Sequence, residues 1–92
     1  PVQDLAQARE FLQQYNQELA AIVNNELLTP VDLNNIHQLT YTLENALEKM
    51  ASDLALTQAA LEALHKASEA NATQQVKALA QTYLQQANAL QQ

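Results

Sequence analysis

The sequence predicts an all-α fold: a three-helix chain with a long central helix, pairing as an antiparallel dimer to form a four-helix bundle. Three observations carry that reading. Leu33, Ile36, Thr40, Leu43, Leu47, Met50, Leu54, Thr57, Leu61 and Leu64 recur at alternating steps of three and four, which lines them along one helix face and favours helix-on-helix packing with a left-handed supercoil. The 92 residues include no Gly and only Pro1 and Pro30, so the residues that hairpins and sharp turns require are missing. Ala, Leu, Gln and Glu are abundant, and all are strong helix formers.

The first helix is expected over about residues 4–25. Asp4 followed by Gln7 resembles a capping box, and Leu5, Ala8, Leu12, Tyr15, Leu19 and Ile22 then keep one face apolar. Asn24 and Asn25 supply the stop, since Asn tolerates the left-handed conformation otherwise left to Gly. The second helix opens on Thr29 as N-cap, with Pro30 at the first helical position and Asp32 at the third, where its charge suits the helix dipole. Leu28 and Leu33 are placed for a hydrophobic staple. Ser52 and Asp53 offer a cap for a separate helix, but the ladder runs through them in phase, so one helix over about residues 30–68 is expected, about 57 Å long. Asn71, Ala72 and Thr73 mark the next turn and also form a glycosylation sequon, read here as a helix-capping turn. A third helix over about residues 73–91 presents Val76, Leu79, Ala80, Tyr83, Ala87 and Leu90.

Residues 1–92 are thus read as a single helical domain. Short connections make the first and third helices antiparallel to the second, each along one half of it. A chain of this size that stays monomeric hides only about 60–65% of its unfolded surface, and an antiparallel partner centred near residue 49 or 50 would complete four helices at every level. The alternative is a monomeric four-helix bundle in which the second helix breaks near Ser52.

Composition excludes several function classes. The net charge is −6, and Arg9, Lys49, Lys66 and Lys77 are scattered, whereas phosphate binding needs clustered cations; no nucleic-acid partner is expected. The longest apolar runs, such as Leu19-Ala20-Ala21-Ile22-Val23, fall well below the roughly 20 residues of a membrane span. There is no Cys, hence no disulfide, thiol nucleophile or thiolate metal site. The absence of an initiator Met before Pro1 suits a processed exported protein or a trimmed chain. Only 15% of residues are charged against an average of about 25%, so Gln and Asn carry much of the surface polarity.

The chemistry-bearing candidates lie on the second helix. His37, Tyr41, Glu44 and Glu48 follow at steps of four, three and four and share one face; imidazole, phenol and carboxylate together would suit a metal or a proton, but a flank where His37 and Tyr41 make ordinary hydrogen bonds is the favoured reading. Glu62 and His65 have the Glu-x-x-His spacing of di-metal bundles, while Glu62 is also placed to pair with Lys66. In the antiparallel dimer His37 comes level with the partner's Glu62, which would build two symmetric His37, Glu62 and His65 clusters for Zn²⁺ or Cu²⁺. The only axial haem candidates are Met50, His37 and His65, and Met50 reads as a core side chain. No cofactor is expected. With neither Gly-rich loop nor Gly-flanked Ser, the chain is read as a non-enzyme. Leu56 lies off the ladder and either marks a contact or widens the core, the second being favoured.

The run Leu28-Thr29-Pro30-Val31-Asp32-Leu33, followed by Ile36 and His37 and then Leu39-Thr40-Tyr41-Thr42-Leu43-Glu44-Asn45-Ala46-Leu47, resembles a family of small, exported, functionally uncharacterised bacterial helical proteins. The likeness continues through Leu64-His65-Lys66-Ala67-Ser68-Glu69 to Tyr83 and Leu84. It implies a periplasmic setting after signal removal and no known activity. Leu28-Thr29-Pro30 at a helix start is also similar to periplasmic stress chaperones and metal-resistance sensors, without their second Leu-Thr motif, and size and helicity resemble b-type bundle cytochromes, without their ligand positions. The functional expectation is therefore a periplasmic interaction or structural module that self-associates as a homodimer, with His37, Tyr41, Glu44 and Leu56 as binding candidates; the alternative is a weak metal or haem carrier.

Overall fold

A computed structural model describes residues 2–91, so the expectation attached to Pro1 lies outside the described residues. Three α-helices and no strands make up the described chain: α1, Leu5–Val23; α2, Pro30–Glu69; and α3, Thr73–Gln91. Helix α2 runs unbroken for 40 residues through Ser52 and Asp53. The four-helix alternative, which needed a break there, is thereby corrected: a Ser-Asp pair offers cap chemistry, but nothing near it interrupts the helical backbone.

The helix ends show why the boundaries fall where they do. At α2, the Asp32 amide donates to Thr29 Oγ1 at 3.1 Å while the Thr29 amide donates to Asp32 Oδ2 at 3.0 Å, a reciprocal capping box with Asp in the Glu position. At α1, the Gln7 amide donates to Asp4 Oδ1 at 2.8 Å, but Gln7 Oε1 accepts from the Gln3 amide at 2.7 Å. The box is shifted: the longer Gln side chain reaches one residue beyond the cap.

Asn24 ends α1 at φ −76°, ψ −9°, in the right-handed region, which corrects the expected left-handed stop. The left-handed residue is Asn71, at φ 56°. There the Ala72 amide donates to Ala67 O at 3.1 Å and the Asn71 amide to Ser68 O at 3.3 Å, the paired bonds of a Schellman motif that use carbonyls the helix leaves open.

By contact, the chain divides into two compact units, Pro1–Met50 and Ala51–Gln92. In the first, Leu5, Ala8, Leu43 and Ala46 are buried, and Phe11 meets Tyr15 edge-on with centroids 5.6 Å apart. Val2 lines one groove with Asn45, Glu48 and Lys49, so α1 starts beside the end of its stretch of α2 and runs antiparallel to it. In the second unit, among the described residues, only Thr57 and Ala67 are buried. Leu54 and Leu61 share a groove of about 310 Å³ with Tyr83, Ala87 and Leu90, and α3 is likewise antiparallel to its stretch.

Candidate functional site: an open apolar row on α2

Coverage by α1 and α3 splits the ladder into two rows. Ile36, Leu39, Leu43, Ala46, Met50, Thr57, Ala60, Leu64 and Ala67 are all buried or half-buried, the flank against which each unit packs. The other row stays open: Leu33, Leu47, Leu54 and Leu61 are 47–56% exposed, with Thr40 half-buried among them. These five recur every seven residues, so they form one line rather than scattered apolar surface.

Sequence reasoning had set all ten residues on one core face. It missed the division because the rotation of α2 follows from where α1 and α3 sit. The signal that bears on it is Ala46, Ala60 and Ala67: small residues beside the ladder mark the side where helices approach closely.

The two ladder threonines keep their hydroxyls on their own helix. Thr40 Oγ1 donates to His37 O at 2.6 Å, and Thr57 Oγ1 to Asp53 O at 2.9 Å. The donors are thus satisfied, and each oxygen retains acceptor capacity.

The candidate chemistry resolves into local pairs. His37 Nε2 and Tyr41 Oη are hydrogen-bonded at 3.0 Å, with the rings edge-on at 4.9 Å; both residues are exposed, as is Glu44, and imidazole and phenol occupy one another. Glu62 lies 3.4 Å from Lys66 Nζ, and His65 Nε2 lies 3.4 Å from Glu69. Glu62 and His65 therefore face different partners, because a Glu four residues before a Lys is the favoured helical arrangement. These pairs are well exposed and contribute a few tenths of a kcal/mol at most. Among the described residues, one chain holds no group of three or more His, Cys, Asp or Glu able to grip a metal ion.

Leu56 is 57% exposed, so it does not widen the core of its unit, correcting the favoured expectation. In the second unit Gln86 Oε1 is buried without a hydrogen-bond partner among the described residues. No described helix is long and apolar enough to cross a membrane.

The chain belongs to the family of unknown function DUF6746, which it matches over residues 1–92. No curated protein and no solved structure matches it.

Proposed function

We propose that this member of a family without an assigned role is a non-enzymatic interaction module whose first partner is a second copy of itself, paired antiparallel through α2. The observation that carries the reading is the open row Leu33, Leu47, Leu54 and Leu61. Covering a leucine that is already half-covered stabilises by about 1 kcal/mol, and a two-fold pairing covers each of these in both copies. Over the eight leucines of a pair that gain is about 8 kcal/mol, which offsets the lower range of the 4–15 kcal/mol cost of association, and the rest of the covered surface supplies the affinity beyond it.

The setting we attach is the bacterial periplasm, supported by the resemblance of residues 28–47 to exported helical proteins. His37, Tyr41 and Glu44 border the open row and, with Leu56, are the side chains such a module would display to a further protein. The metal-carrier alternative gains no such support, since His37 and His65 each face a neighbour on their own helix turn.

Light scattering or equilibrium sedimentation at micromolar concentration tests the proposal. Twice the chain mass is expected, with Leu47→Glu reduced to monomer while retaining its helicity. A wild-type chain that remains monomeric at about 100 μM, an association free energy weaker than about 5.5 kcal/mol, removes the reading.

A further inference from the structure

The ladder on α2 reads the same chemically in both directions. From Leu33 forward the order is Leu, Ile, Thr, Leu, Leu; from Leu64 backward it is Leu, Leu, Thr, Leu, Met. The steps of three and four are symmetric as well, and the only polar rungs, Thr40 and Thr57, stand third from either end. A two-fold axis perpendicular to a helix pair makes rung i meet the partner's rung j wherever j meets the partner's i, and the mirrored order then sets like rungs against like, threonine included.

Resting on the self-association proposed above, we infer that the antiparallel pair has one register, with its axis between Glu48 and Lys49. Leu33 then meets the partner's Leu64, Ile36 the partner's Leu61, Thr40 the partner's Thr57, Leu43 the partner's Leu54, and Leu47 the partner's Met50. Every layer pairs a rung of the open row with a rung of the covered flank. This is how antiparallel helices interleave their two core positions, each knob entering the space between rungs of the facing helix.

The threonines decide among registers. Both hydroxyl oxygens keep acceptor capacity after donating to their own backbone; Thr57 is already buried in its own unit, whereas half-buried Thr40 loses its remaining solvation without compensation when sealed against an aliphatic neighbour. In the stated register the two hydroxyl oxygens share a layer, where one water donating a hydrogen to each serves both. A slip of one heptad sets Thr40 against the partner's Met50 or Leu64, and Thr57 against its Leu33 or Leu47, so that every polar rung faces an aliphatic one. A polar layer of this kind specifies alignment more than it stabilises.

The chain has no cysteine, so disulfide trapping reads the register directly. Three double variants share one position: Ile36→Cys combined with Leu54→Cys, with Leu61→Cys, or with Ser68→Cys. The paired positions in each variant are separated along α2 by far more than the roughly 7 Å a disulfide bridges, so crosslinks arise only between copies. Under mild oxidation the Leu61 pair is expected to give at least about tenfold more covalent dimer than the other two, the ratio that about 1.4 kcal/mol of buried-hydroxyl cost produces. In a Thr40→Val, Thr57→Val background, which is nearly isosteric and keeps the helix, that preference should fall toward equality.

Dominant crosslinking of the Leu54 or Ser68 pair, or efficient crosslinking of Leu61→Cys alone as a parallel pair gives, overturns the register. A preference for the Leu61 pair unchanged by the two valines keeps the register and overturns the threonines' role in setting it. If wild-type protein is a dimer by mass where the register fails, the self-association reading survives its loss. A monomer by mass removes both.

Discussion

The two units use the same helix pairing and achieve unequal cores. In Pro1–Met50, two leucines and two alanines are buried, and Phe11 meets Tyr15 edge-on along α1. In Ala51–Gln92, a threonine and an alanine are buried, α3 contributes no buried residue, and Gln86 leaves an acceptor unanswered. The difference teaches that one covering helix buries more where α1 brings Leu5 than where α3 brings alanines and amides. In both units it leaves open rungs, Leu33 and Leu47 in the first and Leu54 and Leu61 in the second, for a second copy to cover.

Substitutions separate the two units, beginning with the largest effect. Leu43→Ala, in the better-packed core, should lower unfolding free energy by about 2–4 kcal/mol, the usual cost of emptying a buried leucine site, measured by urea titration at low protein concentration. Leu61→Ala should cost about 1 kcal/mol or less under the same conditions, because that side chain is already half in water. At high protein concentration its cost should rise toward that of Leu43→Ala, and a cost independent of concentration would break the link between the open row and self-association.

Smaller effects test the local signals. Asn71→Ala should destabilise by about 1–2 kcal/mol through its left-handed backbone, whereas Asn71→Gly should be neutral or slightly stabilising. Gln86→Met, which removes the unanswered acceptor and keeps the volume, should raise thermal stability by about 1 kcal/mol. Thr29→Ala, which dismantles the reciprocal cap, should cost about 1 kcal/mol. Lys66→Ala should change stability by a few tenths of a kcal/mol at most, since its pair with Glu62 is well exposed. Amide exchange gives the comparison in one experiment: α3 should exchange faster than α1, reflecting its thinner coverage.

Much of the fold was readable from residue order. Thr29, Pro30 and Asp32 announced the start of α2, and the unbroken 3–4 ladder carried it past Ser52 and Asp53, because caps and periodicity act within a turn or two of chain. Asn chemistry was recognised but assigned to Asn24; the left-handed residue proved to be Asn71, where Ala67 and Ser68 offer their carbonyls. The candidate site was less accessible. His37 with Tyr41 and Glu62 with Lys66 follow from helical spacing, whereas His65 turned to Glu69 instead of joining Glu62, since one carboxylate could not serve Lys66 and His65 equally well.

Order along the chain was enough to establish three helices, their limits to within two residues or so, and a ladder with two-fold chemical symmetry, because each depends on neighbours a few positions apart. Only tertiary packing could say that Leu33, Leu47, Leu54 and Leu61 stay open while Leu43 and Thr57 are covered. Those residues belong to one periodic pattern, and what distinguishes them is the direction from which α1 and α3 approach, set by side chains tens of positions away.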